Sequence, residues 1–287
     1  MPELPEVETV MRGVAPALCG ERIERARAFR ADLRWRLPEN FADRLTGRRV
    51  VELARRSKYI LAALDDGWTW LIHLGMTGRF AVGALDGERR EPGAFARDPG
   101  ERGAHDHLVL ETRAHRLIYN DVRRFGAMDL APTAEIGAHK LLSGLGPEPL
   151  TSDFNAAYLG RRLQGRAITL KTALLDQKIV AGLGNIYVCE ALWRARLSPR
   201  TMAATVKKGG LSALVRAVKA VLKEAIASGG SSLRDYRQAD GALGYFQHSF
   251  SVYGREGRPC PRRGCGGQVL RIQQSGRSSF FCPDCQA

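Results

Sequence analysis

The sequence predicts an α+β protein with three parts. An N-terminal helix precedes an antiparallel β-sandwich, a helical domain follows, and a small cysteine-rich hairpin ends the chain. Three observations support this order. Short β-rich segments separated by turn residues fill the first half, and segments with helical periodicity replace them in the second half. Four of the six cysteines then stand as two close pairs near the C-terminus.

The chain opens with an amphipathic helix. Apolar residues recur with helical spacing at Val7, Val10, Met11, Val14 and Leu18. Pro5 suits the first helical turn, where a missing amide costs nothing, and Gly20 is a plausible end. Pro2 and Glu3 are then left at the positive end of the helix dipole.

Pro2 and Glu3 form a candidate reaction pair. Removal of the initiator methionine would make the Pro2 nitrogen a free secondary amine, and the helix dipole would disfavour its protonation. Such an amine attacks an aldehyde-like carbon to give an iminium, which accepts electrons during elimination, while Glu3 can serve as general acid or base. Taken alone, the pair is better explained as two residues that simply precede a helix.

The segments VVELARR, KYILAAL and WTWLIHL lie between residues 48 and 80, and DHLVLET and HRLIYND follow later. Several short strands with turn signals predict a sandwich or barrel of two sheets. Residues 81–104 lack periodicity and are rich in Gly, Pro and charge, so we predict a long exposed loop. The sandwich is assigned to residues 1–132.

Residues 133–150 are predicted to be a linker, with a short helix in the stretch that begins at 131. Helical segments LGRRLQG, ITLKTALLDQKIV, NIYVCEALWRA and LSALVRAVKAVLKEAIASGG follow, and residues 151–250 are assigned to a helical domain. The glycine-rich turn AGLGN ends at Asn185, which is expected to cap the next helix and to place a phosphate at its N-terminus. An ordinary helical hairpin is the alternative. Residues 230–246 are predicted to form a flexible polar loop.

The last module, residues 251–287, holds the paired cysteines Cys260, Cys265, Cys282 and Cys285. Two pairs on tight turns with a hairpin between them are typical of a four-thiolate site for one structural Zn²⁺. Two disulfides are the less favoured alternative. Arg271 and Arg277 lie on the hairpin, where they suit phosphate contact or simply a solvated turn. Cys19 and Cys189 are expected to be buried thiols.

The charge of the chain favours a polyanionic partner. It has 44 Lys and Arg against 30 Asp and Glu, a net charge of +14. Nucleic acid is the first candidate, and an anionic membrane surface is second, although no basic amphipathic anchor stands out. No apolar run approaches the length of a transmembrane helix.

The stretches MPELPEVET, HLGMTG, YNDVRRFG, LGPEPL, LLDQKIVAGLGNIYVCE and GYF, followed by the four-cysteine hairpin, resemble bacterial formamidopyrimidine-DNA glycosylase and stand in that family's order. The resemblance implies a base-excision-repair enzyme that removes oxidised purines, chiefly 8-oxoguanine and formamidopyrimidines, from duplex DNA. It further implies abasic-site lyase activity by β- and δ-elimination, a helix-two-turn-helix and a zinc finger. The protein is expected to be a cytoplasmic bacterial monomer that acts at the nucleoid.

Four residues near the reaction are implied by the resemblance. Pro2 corresponds to the nucleophile that attacks C1′ of the damaged nucleotide, and Glu3 to the residue that protonates the deoxyribose ring oxygen. Glu6 corresponds to a supporting carboxylate. Lys58 corresponds to a lysine near the lesion and its phosphate.

Other residues are matched to DNA contacts. Asn185 and Arg277 correspond to a pair that grips the phosphates beside the extruded nucleotide, with Arg277 counted as catalytic. Met76, Arg123 and Phe125 correspond to the residues that fill the void left in the duplex, although core packing is the alternative for Met76 and Phe125. The remaining expected contacts come from the Tyr245 backbone and from His107, for which a structural role is the alternative.

Two rival functions remain at this stage. Endonuclease VIII shares the fold and chemistry but prefers oxidised pyrimidines; Leu4, Met76, Arg123 and Phe125 favour the purine enzyme. A non-catalytic zinc-finger DNA-binding protein would explain the charge and the cysteines, but it would leave Pro2 and Glu3 without a role.

Overall fold

A computed structural model describes residues 2–85, 103–231 and 244–286. The chain divides into two compact units: the first comprises Met1–Ser143 and Ser228–Tyr245, and the second Gly144–Ala227 and Phe246–Ala287. Within these described ranges, no helix is both long and apolar enough to cross a membrane. The domain bounds predicted from the sequence stay a prediction.

The first unit is the predicted antiparallel sandwich. One sheet has the strand order β1-β6-β7-β5 and the other β2-β3-β4-β8. The bounds are α1 Leu4–Leu18, β1 Arg25–Ala28, α2 Phe41–Leu45, β2 Val50–Arg56, β3 Tyr59–Leu64, β4 Trp68–His73, β5 Arg79–Ala84, β6 Asp106–Glu111, β7 His115–Asn120 and β8 Ala127–Pro132.

One apolar core joins α1 to both sheets of this unit. Val7, Val10 and Val14 of α1 are buried in the same cluster as Trp70 of β4 and Tyr119 of β7. This explains the helical spacing of the first apolar residues, because only one face of α1 meets the sandwich. The helix ends at Leu18, and Gly20 follows with φ +81°, as its predicted role at the end requires.

Several elements of the first unit differ from the prediction. The predicted loop 81–104 was wrong at its start, because residues 81–84 belong to β5 and pair with β7. The apolar run AV at residues 81–82 is too short to show the alternation of a strand. The strands β1 and β8 and the helix α2 were missed: β1 and α2 have only four and five residues, and β8, AMDLAP, has no β-branched or aromatic residue to indicate a strand. Most of the predicted loops 81–104 and 230–246 lie outside the described residues. Cys19 is exposed rather than buried, because it lies just beyond the buried end of α1.

The second unit contains the helices and the hairpin. Its helices and strands are α3 Ala156–Leu163, α4 Leu170–Leu175, α5 Asn185–Arg194, α6 Lys208–Ala227, β9 Leu270–Gln274 and β10 Arg277–Phe281. Short 3₁₀ turns occur at Thr133–Ala138 in the first unit, within the predicted linker, and at Ala203–Thr205 and Phe246–Ser249 in the second.

Two predictions about the helical region need correction. The helix expected through residue 180 ends at Leu175, where Asp176 accepts the Lys178 N–H and turns the chain. Gly184, not Asn185, is the N-cap of α5, and Asn185 is its first residue. The Asn185 side chain therefore does not cap the helix, and its amide donates to the Ser278 carbonyl oxygen instead.

Candidate nucleic-acid interface and reaction site

The N-terminus of α1 holds the predicted reaction pair in a buried setting. Pro2 is buried and Glu3, the N-cap residue, is only 4% exposed. The Glu6 Oε2 atom accepts the Glu3 backbone N–H at 2.9 Å and so completes a capping box. This arrangement fixes residues 2 and 3 at the positive end of the helix dipole, where an amine stays neutral more readily.

Glu6 also anchors the start of the second segment of this unit. Its Oε1 accepts the Ser231 N–H at 2.8 Å and the Ser231 hydroxyl at 3.0 Å. Ser231 in turn forms an isolated bridge with Tyr245, whose side chain is 66% exposed. A Cβ on Gly244 would come within 2.4 Å of the Gly230 carbonyl oxygen, so only glycine permits this approach. Glu6 therefore supports both the reaction pair and the segment that carries Tyr245.

Lys58 lies in the turn between β2 and β3 and is buried. Besides burial, the positive charge of Lys58 lowers the pKa of His73, which lies at the end of β4. Burial, followed by the positive charges of Lys58 and Arg34, lowers the pKa of His73 to about 4. His73 is thus neutral at physiological pH, and its Nδ1 accepts the Gly75 N–H at 3.1 Å. Burial is the main reason that His73 stays neutral, and the positive charges of Lys58 and Arg34, which add to it, are suited to an anion.

The three residues matched to void filling lie on two neighbouring loops of the first unit. Met76 is on the loop of residues 74–78, between β4 and β5, while Arg123 and Phe125 are on the loop of residues 121–126, between β7 and β8. We call these two loops the wedge loops. Phe125 is 41% exposed and the Arg123 guanidinium lies 4.6 Å from its ring centroid. Core packing therefore does not account for Phe125, whereas Met76 is half-buried.

The wedge loops touch backbone to backbone. Gly75 has φ +64°, and a Cβ there would lie 2.2 Å from the Phe125 carbonyl carbon. The structure thus brings the predicted triad to one place. It does not present His107 there, because the His107 ring is buried and its Nε2 lies 2.8 Å from the Asp121 carbonyl oxygen. The geometry of His107 matches its structural alternative, and its DNA contact stays a prediction.

In the second unit, the corner before α5 meets the turn of the β9–β10 hairpin. The Asn185 Nδ2 donates to the Ser278 carbonyl oxygen at 2.9 Å, next to Arg277, which is exposed. The hairpin turn is made by Ser275 and Gly276, both with positive φ, as a two-residue hairpin turn requires. The structure therefore brings Asn185 and Arg277, the predicted pair of phosphate ligands, together at one edge of the unit.

Sequence reasoning missed Lys171 of α4. Its side chain is fully buried, and its Nζ donates to the Ser278 carbonyl oxygen at 2.8 Å and to the Ser279 hydroxyl at 2.6 Å. Burial, opposed in part by Cys189, and the Arg277 charge lower the pKa of Lys171. The only signal in the sequence was that Lys171 shares a helix face with the apolar Leu174, three residues on.

Glu190 of α5 was also missed. This fully buried carboxylate accepts backbone N–H groups from Ser251, Val252 and Tyr253, each at 2.9 Å. These bonds fix the chain where it leaves the helices for the cysteine module. Cys189, buried as predicted, packs there with Val252 and Val269.

The four cysteines of this module fit a single zinc ion. All are free thiols, and their sulfur atoms lie within 4.8 Å of one another. The Sγ atoms of Cys260 and Cys285 are 3.8 Å apart and those of Cys265 and Cys282 are 3.6 Å apart, close to the edge of about 3.8 Å in a tetrahedral Zn–thiolate site. Disulfides, whose sulfurs are about 2 Å apart, do not fit.

The surroundings of the sulfurs act in both directions: burial raises the pKa of Cys282 to about 12 and also raises that of Cys285, whereas the pKa of Cys260 is lowered. Burial raises the pKa of the Cys260 thiol, but the Trp193 indole N–H, at 3.4 Å, and backbone donation from Arg262 lower it to about 7. The Arg262 Nε also donates to the Cys285 Sγ at 3.4 Å. Zinc binding needs deprotonated thiols, so these donors favour the thiolate of Cys260, whereas the protons of Cys282 and Cys285 would be displaced when the metal binds.

A sandwich with the predicted reaction pair buried at its N-terminal helix, followed in one chain by helices and a four-cysteine hairpin, is the arrangement expected of a DNA-processing enzyme with a zinc finger. Comparison with known families agrees. Residues 1–128 match the N-terminal domain of formamidopyrimidine-DNA glycosylase, residues 145–237 match its H2TH domain, and residues 257–287 match the zinc finger found in FPG and IleRS. The chain belongs to the formamidopyrimidine-DNA glycosylase family.

Individual relatives span the whole chain. The formamidopyrimidine-DNA glycosylase of Cereibacter sphaeroides is 59% identical, with 100% of each chain covered. A crystal structure of a Lactococcus lactis FPG variant with Fapy-dG containing DNA is 34% identical, has a TM-score of 0.87 and covers 99% of each chain. A complex of the Lactococcus lactis protein with abasic-site DNA has the same identity and coverage and a TM-score of 0.86.

These comparisons confirm the predicted family, fold class, glycosylase function, DNA partner and zinc finger. They also favour the purine enzyme over endonuclease VIII and over a non-catalytic zinc-finger protein. The roles of individual residues stay predictions.

Proposed function

We propose that this chain excises oxidised purines from duplex DNA and cleaves the resulting abasic site, with Pro2 as nucleophile. The observation that carries the proposal is the buried Pro2–Glu3 pair at the start of α1, held by the Glu6 carboxylate at 2.9 Å from the Glu3 nitrogen. A nucleophile that is fixed before the substrate arrives avoids the entropic cost of orienting it during the reaction.

The proposed reaction uses the free amine of Pro2. The nitrogen attacks C1′ and gives up its proton, while Glu3 protonates the ring oxygen as the C1′–O4′ bond breaks and the sugar opens. The nitrogen lone pair then expels the base, which leaves with a proton on its glycosidic nitrogen, and a C1′=N⁺ iminium remains. The resulting iminium accepts the electron pair released when a proton leaves C2′, and the 3′ phosphate departs; a second elimination expels the 5′ phosphate. Lys58 would interact with a phosphate near this centre.

Access to C1′ requires the nucleotide to leave the helix. Extrusion costs roughly a few kcal/mol, which the protein must offset by filling the gap. Met76 and Phe125 would serve as apolar wedges and Arg123 as a donor to the orphaned base. The Arg123 guanidinium lies 4.6 Å from the centroid of the Phe125 ring, which supports a joint insertion of these two side chains.

The second unit would hold the strand by its phosphates. Asn185 and the Arg277 turn meet at the Ser278 carbonyl, so one backbone group aligns both ligands. Phosphate contacts give affinity without sequence preference, as a repair enzyme that must act anywhere requires. The zinc would be structural: Cys260, Cys265, Cys282 and Cys285 would hold it, and it would fix the fold of the hairpin. Tyr245 and His107 remain proposed DNA contacts.

Borohydride trapping tests the proposal. Purified protein is incubated with duplex DNA containing 8-oxoguanine or an abasic site, and borohydride reduces any iminium to a stable covalent complex. We expect a trapped complex with both substrates. A protein that binds the DNA but gives no covalent complex would contradict the proposal.

We further propose that the protein acts as a monomer in the bacterial cytoplasm, at the nucleoid. Size-exclusion chromatography can check the oligomeric state, and cell fractionation can check the location.

A further inference from the structure

A fully buried carboxylate, that of Asp121, lies at the start of one wedge loop and bonds to the other. Asp121 accepts three hydrogen bonds: from the Thr77 hydroxyl at 2.5 Å, from the Gly126 N–H at 2.8 Å and from the Tyr119 hydroxyl at 3.4 Å. Thr77 belongs to the loop of Met76, and Asp121 and Gly126 belong to the loop of Arg123 and Phe125. One carboxylate thus fastens the two loops to each other.

Thr77 forms a second hydrogen bond between the wedge loops, in which it is the acceptor. Its Oγ1 donates to Asp121 and also accepts the Arg123 backbone N–H at 3.1 Å. The backbone of Arg123 is therefore held by a residue adjacent to Met76. Since a hydroxyl can donate once and accept, both capacities of Thr77 are used within this link.

The surrounding backbone leaves little freedom for another arrangement. A Cβ on Gly126 would lie 1.9 Å from the Tyr119 hydroxyl oxygen, and one on Gly78 would lie 2.4 Å from the same atom. Burial and the Asp121 charge raise the pKa of Tyr119 well above its usual value, so its hydroxyl remains a donor. Such close packing transmits a displacement of one loop to the other.

A buried carboxylate is costly unless donors satisfy it, and here uncharged donors from three chain segments do so. We propose that Thr77 and Asp121 are positioning residues for base extrusion, which hold Met76, Arg123 and Phe125 as one rigid wedge without touching DNA themselves. The proposal rests on the proposed function, because it assumes that these three residues fill the void.

A rigid wedge matters only where a void must be filled. In duplex DNA, wedge loops that move easily would let the extruded nucleotide return to its place between the stacked bases, so excision would slow. In single-stranded abasic DNA there is no opposite base and no void. The positioning role therefore predicts a defect confined to duplex substrates.

The decisive variant is Thr77→Val, which keeps the shape and removes the hydroxyl. We expect single-turnover excision of 8-oxoguanine from duplex DNA to fall roughly tenfold, as for loss of one hydrogen bond to a charged group. Cleavage of single-stranded abasic DNA should stay within about twofold of wild type. Thr77→Ser restores the hydroxyl and should recover most of the duplex rate.

Thr69→Val is the matched control, since Thr69 is a buried threonine of the same sandwich whose hydroxyl pairs with Thr133 at 2.9 Å. It should retain the duplex rate. Fluorescence of 2-aminopurine placed beside the lesion reports extrusion directly, and its change should be slower for Thr77→Val alone.

Three results would overturn the inference: an unchanged duplex rate in Thr77→Val, an equal loss on duplex and single-stranded substrates, or no recovery in Thr77→Ser. If Thr77→Val fails to fold, Thr77→Ala takes its place: Thr77→Ser must then excise 8-oxoguanine from duplex DNA faster than Thr77→Ala, and equal rates would overturn the inference. Inactive wild-type protein would instead refute the proposed function, and a fully active Phe125→Ala variant would refute the void-filling premise on which the wedge depends.

Discussion

The two units hold their functional side chains by different chemistry. In the first unit, buried carboxylates do so: Glu6 fixes the reaction pair, and Asp121 fastens the wedge loops. In the second unit, four cysteines and the cation of Lys171 fix the turn that carries Arg277.

This difference follows from what each segment can bury. The wedge loops stand on a sandwich whose core includes Trp70, Tyr119 and most of one face of α1, so hydrogen bonds are enough to set their positions. Among the described residues, the cysteine module packs through a small cluster in which its Val252 and Val269 meet Cys189 of α5. A module of that size normally needs a metal. Changes in the first unit should therefore impair chemistry, and changes in the second should impair binding.

The largest effect is expected from Glu3→Gln. A general acid contributes about 10²–10⁴-fold to rate, so base excision should fall by that order while DNA affinity stays close to wild type. Single-turnover excision and a binding titration measure the two quantities. Glu8→Gln on the same helix, which breaks the ion pair with Arg55 at 2.8 Å, should leave excision nearly unchanged. Equal losses in both variants would contradict the role of Glu3.

Loss of zinc should come next and should affect binding. Cys282→Ser removes one of four ligands, and we expect DNA affinity to fall on the order of 100-fold, because metal binding and folding of such modules are coupled. Elemental analysis and fluorescence anisotropy measure zinc content and affinity. Cys19→Ser, at an exposed free thiol, is the control. Unchanged DNA affinity in zinc-free Cys282→Ser protein would show that the metal does not support the hairpin.

Lys171→Met should produce an intermediate effect. It leaves the Ser279 hydroxyl without its buried donor and leaves Asn185 as the donor to the Ser278 carbonyl, at a cost of about 1–3 kcal/mol. The Arg277 turn should loosen and DNA affinity should fall roughly tenfold, with zinc retained. Lys223→Met, at an exposed position of α6, removes the same charge and should change affinity far less. Similar losses in the two variants would mean that net charge alone is responsible.

The smallest effect should come from Arg277→Ala. Loss of one phosphate contact should weaken binding about equally for all sequences and reduce the salt dependence of affinity by about one unit of slope. Turnover should fall as well, while zinc content stays the same. Arg263→Ala, an exposed arginine of the same module, is the control. An unaltered salt slope in Arg277→Ala would remove this residue from the phosphate contacts.

Local patterns predicted much of this architecture. The helix α1, the strands with clear alternation and the cysteine site all follow from spacing within about 20 residues. Of the elements that were missed, β1 and α2 are too short to carry a period, and β8 lacks the β-branched and aromatic residues that indicate a strand. The position just before α1 indicated Pro2 and Glu3 as a candidate pair. The family's motifs supplied their predicted roles and also indicated the wedge residues, which no periodicity could have singled out.

Long-range contacts were not predictable in the same way. Lys171 contacts residues 107 and 108 positions away, and Glu6 contacts Ser231, 225 positions away. Whether a lysine or a carboxylate is buried depends on such partners, and the sequence near Lys171 or Asp121 does not reveal them.

The central claim is that the Pro2 nitrogen forms the covalent intermediate. Mass spectrometry of the borohydride-trapped complex tests it most directly, because digestion locates the DNA remnant on a peptide. The account predicts mature protein that begins at Pro2, with the adduct on that residue. An adduct on a lysine such as Lys58, or full activity in protein that retains its initiator methionine, would contradict it.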